Sequence, residues 1–138
     1  MNRRLSDHFM QLGVIAGATG MLLGVWMGSN EDFTLAPVHA HINLLGWVSM
    51  LLYGLVYRVV PKATVGRLPI LHFFLNVLSF LTLVPSLTLF LLGNKEMGPL
   101  LGIASIAMFT SMLLFVLIIL RATWREDSTA SATSSTAL

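Results

Sequence analysis

Four long apolar runs, separated by short polar breaks, constrain this chain more than any other feature of its sequence. The runs cover about 9–28, 37–60, 68–92 and 98–121. A helix crosses roughly 30 Å of hydrocarbon with about 20 apolar residues, so each run is long enough to span a membrane. Only 10% of the 138 residues are charged, against about 25% in soluble domains. The sequence therefore predicts an all-α integral membrane protein, a four-helix bundle.

Proline and composition divide the chain further. Pro37, Pro69 and Pro99 stand at the beginnings of the last three runs, and proline is favoured in the first turn of a helix. We predict one membrane domain over 1–126. The segment 127–138 is mostly Ser, Thr and Ala without apolar periodicity, which is typical of disorder.

Positive charge predicts the orientation of the four spans. Seven of the eight Lys and Arg residues fall on one side: Arg3, Arg4, Arg58, Lys62, Arg67, Arg121 and Arg125. The other side has only Lys95. Because short loops rich in Lys and Arg stay in the cytoplasm, we expect both termini to be cytoplasmic, with the protein in a bacterial inner membrane.

The composition also excludes several kinds of site. The chain has no cysteine, which excludes disulfides, thiolate metal sites and covalent c-type haem attachment. The basic residues lie at span ends rather than along one surface, so nucleic-acid binding is not predicted. A ladder of glycines in the first span, Gly13, Gly17, Gly20, Gly24 and Gly28, predicts a face for close packing of another helix.

All four histidines lie at or near the spans, and they form two groups. His39 and His41 lie in the outer part of the second span, whereas His8 and His72 lie near the inner face. At 1.5 Å of rise per residue, His41 and His72 should be roughly 20 Å or more apart. The sequence therefore predicts two separate regions.

The outer pair is the stronger candidate for chemistry, because ionisable residues at membrane depth are rare and usually functional. On a helix with about 100° per residue, His39 and His41 point about 200° apart, so one chain cannot use both on one metal. The predicted face of His39 also carries Asn43, Gly46, Met50, Tyr53 and Tyr57. The alternative role for each imidazole is a hydrogen bond to a backbone carbonyl or an interfacial water.

The second span carries a motif around these histidines. It reads Pro37-Val38-His39-Ala40-His41-Ile42-Asn43-Leu44-Leu45 and ends in Tyr57-Arg58-Val59-Val60-Pro61. This segment resembles the second transmembrane helix of haem-copper oxidase and nitric-oxide reductase catalytic subunits, which supplies an axial histidine to the low-spin haem. Alignment on the proline makes His39 the counterpart of that ligand, and alignment on His-x-Asn-Leu-Leu makes it His41.

The resemblance implies a cofactor and an assembly. The large family subunits look like three four-helix units around a pseudo-threefold axis, and one equivalent helix carries a His-x-His that serves two haems. By this analogy, a homotrimer would hold b-type haem near the outer face between His39 of one copy and His41 of the next. The predicted haem-binding residues are His39, His41, Asn43, Trp47, Met50 and Tyr53.

The resemblance also limits the activity. The further histidines of the family's copper site have no counterpart here, so we predict no catalytic residues and a non-enzymatic role in electron transfer or in redox or gas sensing. A respiratory-chain redox partner or a quinone is the expected partner besides membrane lipid. The alternatives are a cofactor-free structural or assembly subunit of a respiratory complex, and a metal or proton transport component.

A second candidate site lies at the inner side. Asn76 follows His72 by one helical turn on the same face, and His8 is expected at a similar depth. These three residues predict a polar patch for a quinone head group or a proton path.

Overall fold

Four long helices make up the computed structural model, which describes the backbone of 2–135 and the side chains of 4–124. They are α1 (Asn2–Asn30), α2 (Ala36–Val59), α3 (Leu68–Leu91) and α4 (Gly98–Ser135). Every regular element within the described backbone is helical, and each long helix is apolar enough to cross a membrane. The predicted all-α architecture with four candidate spans is confirmed.

The first and last helices extend beyond their apolar runs. α1 begins at Asn2, ahead of the predicted position near residue 9. The backbone of α4 continues past the predicted end near Arg121 to Ser135. The disorder predicted for 127–138 stays a prediction, and 136–138 lie outside the described residues.

The four helices form two close pairs, α1 with α2 and α3 with α4. Buried clusters join the two pairs along their length. We call the end where α1 and α3 begin the termini end. Phe9, Tyr57, Ala63 and Ile118 belong to one buried cluster there. The opposite end, where α2 begins, is the histidine-pair end. Between the two ends, an apolar cleft of about 250 Å³ is lined by residues of α1, α2 and α3.

The glycine ladder of α1 explains why α1 and α2 pack so closely. A Cβ added at any of four glycines would lie 2.6–3.0 Å from an atom of α2. The four contacts are Gly13 with Leu51, Gly17 with Trp47, Gly20 with Asn43, and Gly24 with His39. The predicted packing face is therefore confirmed over these four positions. A Cβ at Gly28 would meet no atom of the described residues within 4 Å, so the contact ends before the end of α1.

The middle of α2 is not a regular α-helix. Ile42–Ser49 forms a π-helix between the α-helical segments Ala36–His41 and Met50–Val59. The Ser49 hydroxyl donates a hydrogen bond of 2.7 Å to the carbonyl of Leu44, five residues earlier. A π turn contains more residues than an α turn, so side chains beyond it are rotated from the positions that a regular helix predicts.

This rotation corrects the predicted face of His39. Trp47 continues the contact of His39 and Asn43 with the glycines of α1, whereas a Cβ at Gly46 would meet Phe80 of α3 at 2.6 Å and Ala16 of α1 at 2.8 Å. Met50 is instead buried in the core cluster at the termini end. The prediction that one continuous face joins His39 to Met50 and Tyr53 is wrong, because it assumed 100° per residue throughout α2.

Candidate functional site

The imidazole of His39 is oriented by the backbone of α1. Its Nδ1 lies 2.8 Å from the carbonyl oxygen of Gly20, and the absence of a side chain at Gly24 leaves space for its ring. A carbonyl oxygen only accepts hydrogen bonds, so Nδ1–H is the donor. In a neutral ring, the lone pair is then on Nε2.

Asn43 lies beside this ring and is within hydrogen-bond distance of its lone pair. Its amide nitrogen donates a hydrogen bond of 2.8 Å to the carbonyl of His39. The same nitrogen is 3.4 Å from both Nδ1 and Nε2 of His39. Since Nδ1 has the proton, the amide can donate only to Nε2, and at 3.4 Å this hydrogen bond is long. The amide therefore supports the ring through a weak contact that a ligand on Nε2 would replace.

The ring of His41 also forms a hydrogen bond with a backbone carbonyl, but within its own helix. Its Nδ1 lies 2.7 Å from the carbonyl oxygen of Pro37, one turn earlier. By the same argument, Nδ1–H donates and Nε2 has the lone pair. His39 packs against α1, whereas His41 bonds within α2, which agrees with the predicted divergence of the two rings. The structure also contains the alternative role, since each imidazole forms a hydrogen bond with a backbone carbonyl through Nδ1. Nε2 of each ring takes no part in these two bonds.

The other predicted haem-binding residues divide between the two ends. Trp47 covers Gly17 on the α1 face, one turn from Asn43. Met50 and Tyr53 are buried in the core cluster at the termini end, with 1% and 6% of their surface exposed. Tyr53 donates a hydrogen bond of 3.3 Å to the sulfur of Met112. The structure therefore brings together His39, Asn43 and Trp47, with His41 alongside, and it separates Met50 and Tyr53 from them.

Acidic groups face solvent at the histidine-pair end. The backbone N–H of Thr34 donates a hydrogen bond of 2.9 Å to Asp32. Hydrogen bonds from the Thr34 hydroxyl and this N–H lower the pKa of Asp32, so this carboxyl is charged at neutral pH.

The ammonium group of Lys95 donates to the carbonyl of Phe90 and lies 4.2 Å from the centroid of its ring. The cation is therefore bound at the end of α3.

The second predicted region surrounds His72, which is fully buried. Its Nδ1 forms a hydrogen bond of 2.9 Å with the hydroxyl of Tyr57. The rings of Tyr53, Phe9 and Phe115 enclose it at centroid distances of 4.8, 5.3 and 5.3 Å. Asn76, one turn later on the same face, is also fully buried, and its predicted role in a polar patch stays a prediction.

His8 does not join this region. It is exposed, and its ring centroid lies 6.1 Å from that of Phe73. Tyr57, by contrast, is a partner of His72 that the sequence reasoning missed. The sequence contains a signal for this pairing, because Tyr57 and His72 are separated from the middle of the turn that joins α2 to α3 by about the same number of residues. Residues placed in this way meet across an antiparallel helix pair.

The two regions are far apart. His39 contacts α1 at Gly24, and His72 contacts α1 at Phe9. These two contacts are fifteen residues apart on one helix, which is about 22 Å at 1.5 Å per residue. This separation agrees with the prediction that the outer and inner histidines cannot share a ligand.

Among the described side chains, no three His, Cys, Asp or Glu residues lie close enough to hold a metal ion. Comparison with protein-family models, with curated proteins and with solved structures finds no match for this chain.

Proposed function

We propose that this protein is a membrane-bound b-type haem protein, with His39 and His41 as the axial ligands. The observation that carries the proposal is that the two imidazoles have the same protonated nitrogen and the same kind of hydrogen-bond partner. Each donates Nδ1–H to a backbone carbonyl, 2.8 Å from Gly20 and 2.7 Å from Pro37. Histidines that ligate a metal commonly donate their other ring N–H in this way, which fixes the ring and makes Nε2 a better electron-pair donor to iron.

The surroundings of His39 also suit a flat cofactor. Its ring lies on the glycine surface of α1, and a Cβ at Gly28, one turn beyond Gly24, would meet no described atom within 4 Å. Bound haem would supply reversible one-electron chemistry, and the apolar helices around it would exclude water and help to set its potential. His39, Asn43 and Trp47 would form one side of this site.

The same geometry favours an intersubunit site. His39 faces α1 while His41 bonds within α2, so one chain does not direct both rings at one iron. Two copies supply them from opposite sides. The resemblance favours a homotrimer, and ligation by two histidines leaves no open position on iron, which favours electron transfer over gas sensing.

The charge distribution supports an orientation with both termini in the cytoplasm of a bacterial cell. Arg58 lies at the termini end, where it pairs with Asp7 at 3.0 Å, while Lys95 lies at the other end of the spans. Reporter fusions at Glu31 and Lys95 should be periplasmic, and those at Lys62 and the C-terminus cytoplasmic. The opposite pattern would place the histidine pair inside.

The cofactor is tested by purifying the protein from haem-replete cells and measuring haem by the pyridine haemochrome assay. We expect haem b that organic acid extracts, since the chain lacks the cysteines for covalent attachment. Native mass spectrometry in mild detergent should give a homo-oligomer with bound haem. A colourless protein would contradict the proposal and favour the cofactor-free structural subunit, and a haem-loaded monomer with two histidine ligands would contradict the intersubunit site.

A further inference from the structure

One layer of the α3–α4 interface contains an unusual set of polar groups. His72 and Asn76 of α3 lie one turn apart and are fully buried. The ring of His72 stacks on Phe115 at 5.3 Å, and the amide nitrogen of Asn76 lies 3.5 Å from the sulfur of Met108. The two helices therefore run antiparallel, with residue 72 beside 115 and residue 76 beside 108.

Ser111 falls within the same layer. It lies three residues after Met108 and four before Phe115, and this spacing places all three on one face of α4. Ser111 is fully buried, as are His72 and Asn76. Its hydroxyl therefore lies at about the same position along the helix pair as the imidazole of His72 and the amide of Asn76 on the facing helix.

Three polar atoms of this layer have no hydrogen-bond partner within the described part of the chain. They are Nε2 of His72, Oδ1 of Asn76 and Oγ of Ser111. An unpaired polar atom is costly in a protein interior, and more so within a helix bundle surrounded by hydrocarbon. Three of them in one layer, on facing helices, indicate a shared polar ligand.

We propose that this layer binds an internal water molecule, held by His72, Asn76 and Ser111. A buried water typically makes about three hydrogen bonds to such groups. The Asn76 oxygen accepts one from the water, the Ser111 hydroxyl donates or accepts one, and Nε2 of His72 completes the set. A quinone head group is too large for this position, because all three side chains are fully buried and α3 would have to separate from α4.

This water would extend the pair of Tyr57 and His72 into a longer hydrogen-bonded chain. With one tautomer, Tyr57 donates to Nδ1 and the ring donates from Nε2 to the water. With the other, Nδ1–H donates to Tyr57 and the water donates to Nε2. Both tautomers keep the hydrogen bond between Tyr57 and His72 and the one between His72 and the water, so exchangeable protons connect Tyr57 to Asn76 at the termini end. The inference does not depend on haem at the other end.

The stability test uses Ser111→Ala, with Ser105→Ala as the matched control. Ser105 is on the same helix but is exposed, and its hydroxyl bonds its own backbone at Leu101. If Ser111 holds a water, its substitution should lower the Tm by several degrees, while the control stays within about one degree of the wild type. If the layer is dry, removal of an unpaired hydroxyl should leave the Tm unchanged or raise it, which would overturn the proposal.

A direct test detects the water itself. In protein labelled with ¹⁵N-histidine in lipid nanodiscs, magnetisation transfer from water should reach Nε2 of His72, and His72→Phe assigns the signal by its loss. Combining Ser111→Ala with Asn76→Leu should lower the Tm by less than the sum of the two single shifts, because both residues hold one water. Additive shifts together with no transfer to His72 would exclude a shared water.

Discussion

The two histidine regions use the same side chain in opposite ways. At the histidine-pair end, each Nδ1–H donates to a backbone carbonyl, and both rings are only partly buried. At the termini end, His72 is fully buried, and its Nδ1 pairs with the hydroxyl of Tyr57. A carbonyl fixes which nitrogen has the proton, whereas a hydroxyl allows both tautomers.

This difference shows how surroundings assign a role to histidine. Under the proposed function, a ring with a fixed tautomer and partial exposure would bind an external ligand such as haem iron. A ring enclosed by four aromatic side chains is accessible only to a ligand that is already inside the bundle. If the roles differ in this way, substitutions at one end should leave the ligand at the other end unaffected.

The largest effect on stability is expected for Phe9→Ala. Phe9 is fully buried, and its ring contacts those of Tyr53, Tyr57 and His72. Truncation of such a ring leaves a cavity and costs about 3–5 kcal/mol. Thermal unfolding in detergent measures this loss, with Phe109→Ala as the control, because Phe109 is 63% exposed.

If the two ends are independent, the folded fraction of Phe9→Ala should still bind haem in the wild-type ratio. Loss of haem from correctly folded protein would show that the aromatic cluster at the termini end supports the site about 22 Å away.

Gly24→Ala should weaken the histidine-pair end selectively. The new Cβ would lie 2.8 Å from Cε1 of His39, so the ring has to move. Such overpacking costs about 1–3 kcal/mol, and each 1.4 kcal/mol corresponds to about tenfold in haem affinity. Haem titration measures the loss. Gly102→Ala is the matched control, since its Cβ would meet no described atom within 4 Å. Equal affinity in both variants would contradict the role of Gly24.

The span arrangement was predictable because it depends on local composition. The apolar runs, the prolines at their beginnings and the glycine ladder each act within one helix or between neighbours. The π-helix at Ile42–Ser49 was not predictable, since no residue in this segment demands hydrogen bonds from i to i+5. Its effect on the orientation of Met50 and Tyr53 was therefore missed as well.

The candidate sites were predictable to a similar extent. The depth and divergence of His39 and His41 follow from helix geometry alone. The partners of these rings, Gly20 and Pro37, depend on atomic positions. Ser111 was missed because its relation to His72 depends on the register of α3 against α4, which no local pattern encodes.

Tyr57→Phe should produce a moderate loss at the termini end. It removes the hydroxyl that pairs with Nδ1 of His72, and leaving a buried partner unpaired costs about 1–3 kcal/mol. A double-mutant cycle with His72→Phe isolates this pair. In the His72→Phe background the cost of Tyr57→Phe should fall towards zero. An unchanged cost there would mean that the hydroxyl of Tyr57 acts through a different partner.

The smallest effect is expected for the ion pair at the surface of the termini end. Asp7→Asn removes the bond of 3.0 Å to Arg58, and the two side chains are 41% and 47% exposed. Exposed pairs contribute about 0.2–1 kcal/mol, which salt screens further. The difference from the wild type should therefore be small in chemical denaturation and smaller still at 1 M salt. A loss above about 2 kcal/mol would show that this pair holds α1 against α2.

The visible absorption spectrum of three reduced variants tests the central claim most directly. His39→Ala and His41→Ala should each lose haem, or convert a six-coordinate spectrum to a five-coordinate one, because each removes one axial ligand. His72→Ala should retain the wild-type spectrum in its folded fraction, since about 22 Å separates this residue from the pair. Loss of haem in His72→Ala, with both outer variants unchanged, would contradict the account and place the haem site at the termini end.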